Sequence, residues 1–105
     1  MSEVKEISTL EEYKALVASN DAFVIDFTAS WCPPCQAIKP KFAELAAATA
    51  GVGFYKIDVD ENSDAAGEAG LTAMPTFQFY KGGQRVDTLQ GANYNALVEK
   101  VNGLK

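Results

Sequence analysis

The run AFVIDFT at residues 22–28 limits the possible fold more than any other stretch. It is almost continuously apolar, and its side chains are mostly β-branched or aromatic. A strand buried on both faces reads this way, whereas a half-solvated strand alternates polar and apolar residues. A sheet covered on both faces needs helices on each side, and the flanking sequence supplies them. VKEI (4–7) reads as a short strand. Thr9 with Glu12 makes a capping-box pattern, after which Leu10, Tyr13, Leu16 and Val17 fall on one helical face. A second helix is expected from about 34 to 49, with Ile38, Phe42 and Leu45 on one side and a kink at the internal Pro40. GFYKIDVD (53–60) is a further strand, and 63–69 a short helical piece. TFQFY (76–80) and RVDTL (85–89) flank KGGQ, a Gly-Gly hairpin signal, and Tyr94, Leu97, Val98 and Val101 mark a last helix. The order β-α-β-α-β-α-β-β-α predicts an α/β fold whose sheet is made mixed by the closing hairpin. With 105 residues, 48% of them hydrophobic, one domain over 1–105 is expected.

Ligand sites in such sheets lie beyond the carboxyl ends of the strands. The turn leaving AFVIDFT holds both cysteines of the chain, Cys32 and Cys35, with Pro33 and Pro34 between them. A thiol must ionise before it can attack a disulfide. Cys32 stands where a helix starts, so free backbone N–H groups and the positive end of the helix dipole favour its thiolate. Cys35 is one turn further on, close enough to close a disulfide. This makes Cys32 the expected exposed attacker and Cys35 the resolving thiol. The alternatives are two unrelated core cysteines, or half a zinc site. Structural zinc wants four Cys or His ligands, and the chain has two cysteines and no histidine. No metal or cofactor is expected. The absent histidine also removes a Cys–His nucleophile.

Two prolines hold the loop between the sulfurs nearly rigid, and Pro33 deletes an amide that would otherwise point toward Cys32. Losing that donor raises the Cys32 pKa and makes the pair slightly more reducing. On the plainer reading, Pro33 only stiffens the unfolded chain. Asp26 interrupts the apolar strand. Burial raises a carboxyl pKa, so Asp26 is either a general base and acid for Cys35 or a structural aspartate paired with a lysine.

Composition narrows the partners. The formal net charge of −5 disfavours nucleic acid and anionic membranes. No run approaches the roughly 18 apolar residues of a membrane span. The opening MSEVKEISTLEEYK is charged where a signal peptide needs its apolar run, so a soluble cytoplasmic protein is expected, with nuclear entry open. Two patterns are set aside. DVDENSD (58–64) resembles a calcium loop, but Ser63 stands where glycine is needed and Ala69 where glutamate is needed. GVGFYK (51–56) precedes a strand rather than following one and lacks the third glycine of a dinucleotide loop.

DFTASWCPPCQAIKP (26–40), AMPTFQFYKGG (73–83) and the Gly91-Ala92 pair resemble the thioredoxin family, cytosolic type, over essentially the whole chain. The family's Trp-Cys-Gly-Pro-Cys is here Trp31-Cys32-Pro33-Pro34-Cys35, with proline in place of glycine. The resemblance implies a five-stranded sheet in the order 1-3-2-4-5 with helices on both faces. It implies reduction of protein disulfides through a mixed disulfide on Cys32, with a flavin-dependent thioredoxin reductase restoring the dithiol. It favours the proton role for Asp26, and it makes Lys56 a charge neighbour of that aspartate. It implies a cis Pro75 facing the cysteines, with Met74 offering its backbone to an extended substrate segment. Trp31, Ala73, Gly91 and Ala92 would fill out a flat apolar patch for protein partners. An oxidant or isomerase of the protein disulfide isomerase kind would usually carry a histidine before the second cysteine. A redox-silent interaction module would not need the cysteine pair with Asp26. No third cysteine offers an intermolecular disulfide, so a monomer is expected.

Overall fold

β2 (Phe23–Thr28) is the middle strand of a five-stranded sheet, and Phe23, Val24, Ile25 and Phe27 are fully buried with Asp26 at 3% exposure. The computed structural model describes residues 3–105. In chain order the elements are β1 (Val4–Glu6), α1 (Leu10–Ala18), β2, α2 (Pro33–Ala48), β3 (Gly53–Asp58), α3 (Ser63–Ala69), β4 (Thr76–Lys81), β5 (Gln84–Gln90) and α4 (Tyr94–Asn102). The sheet order is β1-β3-β2-β4-β5. β3 runs parallel to both β1 and β2, whereas β4 is antiparallel to β2 and to β5. The expected mixed sheet and its strand order are those observed.

Alternation along the strands divides the core in two. Val24, Phe54, Phe77 and Phe79 pack with Ile38, Phe42 and Leu45 of α2 and with Leu97 and Val101 of α4. Phe23, Ile25, Phe27, Ile57 and Tyr80 pack on the other face with Tyr13 of α1 and with Ala65 and Ala69 of α3. Both faces of β2 are therefore covered, which is why its sequence does not alternate. Asp26 shares the parity of Val24, so it lies on the α2 face.

Local chemistry sets the ends of the elements. Thr9 caps α1, its Oγ1 accepting the Glu12 N–H at 3.1 Å, while Glu12 Oε1 accepts the N–H of Ser8, one residue before the cap. α2 opens at Pro33 because proline lacks only an N–H that would be unpaired there anyway. It then continues through Pro40 as one helical segment. β3 stops at Asp58, earlier than expected, because Asp58 Oδ1 accepts the N–H groups of Asp60 and Glu61 and turns the chain. The β4–β5 hairpin turns on Gly82 and Gly83, whose φ angles of +64° and +79° match a type I′ turn.

Candidate redox-active site

The chain leaves β2 at its carboxyl end and enters α2 with Cys32 as the N-cap residue. Cys32 and Cys35 are joined by a disulfide, their Cα atoms 5.2 Å apart, a separation that one helical turn supplies. Cys32 Sγ accepts the Cys35 backbone N–H at 3.3 Å. Pro33 and Pro34 occupy the first two helical positions and carry no N–H, so this is the only amide the first three positions can offer the sulfur. An amide hydrogen and the positive end of a helix both favour negative charge on the atom they face.

Cys32 is not the exposed attacker expected from the sequence. It retains 4% of its surface and Cys35 none. The solvent-facing groups are Trp31, at 63% exposure, and the two prolines. The turn folds Cys32 inward because its sulfur serves as the helix cap, and Cys32, Cys35 and Ala29 pack in one small cluster with Met74 against it.

The loop before β4 completes the rim. The Met74–Pro75 peptide is cis, and Pro75 is buried. The Pro75 carbonyl accepts the Gly91 N–H at 2.8 Å, Thr76 Oγ1 donates to the Ala73 carbonyl at 2.6 Å, and Gln90 Nε2 donates to Thr72 Oγ1 at 2.7 Å. The first and last of these bonds tie the loop to the end of β5. Gly91 adopts φ +94°, a backbone conformation that favours glycine. Among the described residues, neither backbone group of Met74 has a hydrogen-bond partner. Ala73 and Ala92 are exposed on either side.

Trp31 Nε1 donates to Asp60 Oδ2 at 2.8 Å. In the sequence Asp60 stands only within DVDENSD, the run that resembles a calcium loop. No local pattern links positions 29 apart, so only the fold reveals this bond.

Asp26 lies opposite Lys56 of β3 and Phe77 of β4 in register. Burial pushes its pKa up to about 7, against the pull of the Lys56 ammonium and, more weakly, that of Lys39. Asp26 Oδ1 has no hydrogen-bond partner, and Lys100–Asp87 is the one ion pair among the described residues. Asp26 is therefore not half of a structural salt bridge. It borders a cavity of about 350 Å³ with Thr28, Gln36, Lys39, Phe42 and Lys56 along its walls. Lys39 went unnoticed in the sequence, although it stands one turn after Cys35 and beside the Ile38/Phe42 stripe.

The site thus joins a cysteine pair closed as a disulfide, a sulfur at a helix start and a carboxyl that burial pushes up to about 7. Among the described residues no three His, Cys, Asp or Glu side chains are grouped to share a metal ion, and no helix is long and apolar enough to cross a membrane.

A family model described as Thioredoxin matches residues 4–103. A thioredoxin of Malassezia sympodialis is 47% identical over 96 residues, covering 90% of this chain and 91% of the relative. One from Geodia cydonium is 53% identical over 85 residues, covering 80% of each. The crystal structure of oxidised mitochondrial thioredoxin 3 from Saccharomyces cerevisiae superposes with a TM-score of 0.89 at 41% identity, covering 95% of this chain and 94% of that one.

Proposed function

Since the chain belongs to the thioredoxin family, and so is a thiol–disulfide oxidoreductase with Cys32 and Cys35 as its redox pair, we propose that it works as one domain over 1–105 that reduces protein disulfides, Cys32 attacking and Cys35 resolving. The observation that carries this reading is Cys32 Sγ capping α2 while it receives the Cys35 N–H, beyond the end of the strand that carries a buried Asp26. The Cys32 thiolate attacks one sulfur of the target disulfide, and the other leaves as a thiolate that takes a proton. Cys35 then gives its proton to Asp26 and attacks Cys32 Sγ, and the second target sulfur leaves as a thiolate that takes the proton from Asp26 to become a thiol. Two electrons pass to the target, and the Cys32–Cys35 disulfide remains. Lys56 tunes Asp26 across the strand pair.

The docking rim consists of Trp31, Pro33, Pro34, Ala73, Met74, Pro75, Gly91 and Ala92. The unpaired Met74 backbone suits pairing with an extended target segment, as when a strand is added at an edge. A flat rim with little side chain in the way suits many partners, and it explains how a nearly buried Cys32 is reached. Thioredoxin reductase returns the dithiol. A reducing compartment suits this cycle, and we assign the cytoplasm, with nuclear entry open, to a monomer.

Equilibration of the Cys32–Cys35 couple against glutathione or dithiothreitol tests the direction of the chemistry. A potential below the cytosolic glutathione poise is expected; a value near that of protein disulfide isomerase would reverse the assignment. The same titration on Pro33→Gly tests the proline pair. A glycine at the first helical position adds one amide near Cys32 Sγ, which favours the thiolate and so the reduced form. The potential is expected to become less negative by up to about 30 mV, equivalent to about 1.4 kcal/mol for a two-electron couple. An unchanged potential with slightly lower stability would leave Pro33 only its stiffening of the unfolded chain.

A further inference from the structure

We propose that Lys39 is a positioning residue for Asp26: from the wall of the cavity beneath α2, its ammonium keeps part of the Asp26 population ionised and ready to take the Cys35 proton. The inference rests on the proton role proposed above for Asp26.

An ionised Asp26 has little close by to offset its charge. The residue is 3% exposed, Oδ1 is buried with no hydrogen-bond donor, and no cation is within ion-pair distance. The compensating field must come from further away, and two lysines border the same cavity. Lys56 arrives from β3 through strand register, whereas Lys39 arrives from α2, the helix that carries Cys35. Neither lysine is engaged in an ion pair among the described residues, so neither charge is neutralised by contact. Polar and apolar groups both line the cavity, and about 350 Å³ is ample for water to bridge the charged ones. Glu6 from β1, Asp58 from β3 and Glu61 from the following turn also border it and act in the opposite sense. Both lysines pull the Asp26 pKa down against the larger effect of burial. Lys39 is exposed and joins no ion pair among the described residues, so its charge can be changed at the surface rather than in the core.

The test is the pH dependence of protein-disulfide reduction at low salt, with the Asp26 carboxyl followed by NMR. Wild type, Lys39→Gln, Lys39→Arg, Asp26→Asn and the Lys39→Gln/Asp26→Asn double variant are compared. Lys39→Gln is expected to move the rising limb and the Asp26 titration to higher pH and to slow reduction about threefold at pH 7, as for a partly screened charge several ångströms away. Lys39→Arg should restore both, and Lys39→Gln should add nothing in the Asp26→Asn background. If Asp26→Asn keeps the wild-type limb, the proton role of Asp26 itself fails. If Asp26→Asn loses the limb while Lys39→Gln keeps it, or if Lys39→Arg behaves like Lys39→Gln, the Lys39 inference alone is overturned.

Discussion

Cys32→Ser is expected to abolish disulfide reduction, a loss on the order of a thousandfold or more, the scale on which removing a covalent nucleophile acts. Cys35→Ser is expected to stop the same cycle one step later. Cys32 remains at the start of α2, but its capping N–H then belongs to a serine and no second thiol is present to expel the target. The mixed disulfide should therefore accumulate and survive on a non-reducing gel, while Cys32→Ser forms none. Serine is close in size to cysteine, so thermal unfolding of both variants under reducing conditions should resemble that of the reduced wild type. The contrast separates the redox reading from a scaffold that only binds. If Cys32→Ser binds and acts on partners as before, the thiol chemistry is incidental and the surface around Trp31 is what matters.

Asp26→Asn is expected to stabilise the protein, and increasingly so as the pH rises. The Asp26 carboxyl is raised from 3.8 to about 7 in the folded state. Below about pH 4 the carboxyl is protonated in both the folded and unfolded chains, and the variant gains nothing from this source. Between those two values the unfolded chain loses its proton and the folded one keeps it, so wild-type stability falls with rising pH. The fall levels off once the folded carboxyl also ionises, by which point it amounts to roughly 4 kcal/mol, at about 1.4 kcal/mol per pH unit. Urea unfolding of both proteins at pH 4, 6 and 8.5 measures the gap directly. Parallel stabilities across that range would mean that Asp26 is solvated or paired in solution, and its role as proton carrier would lose its basis. The same substitution should slow disulfide reduction, since an amide cannot take the Cys35 proton.

Much of this architecture is written in local pattern. The nearly continuous apolar run before Thr28, the spacing of Ile38, Phe42 and Leu45, and the paired glycines at 82 and 83 each specify an element through forces acting within a few residues. The cysteine pair at a strand-to-helix turn locates the chemistry for the same reason. What stayed hidden depends on contacts between distant segments. The packing of Met74 against the cysteines, the bond from Trp31 to Asp60, and the cavity that Lys39 shares with Asp26 all join segments far apart in the chain. The early end of β3 was in principle legible, because Asp58 followed by a polar run is a turn signal, but the alternation of GFYKIDVD masked it.

The order of strands also sets where the molecule gives way. β1 is joined by three register pairs, all to β3, and β5 is joined to β4 alone. β2 is bracketed by β3 and β4 along nearly its whole length. Local openings begin where few neighbours must be released, so fraying at either margin of the sheet is cheap and loosening of β2 approaches global unfolding in cost. The disulfide hangs from the end of that strand. A molecule frayed at β1 still holds its cysteine pair at the end of the strand that lets go last, whereas fraying at the end of β5 releases the loop around Pro75.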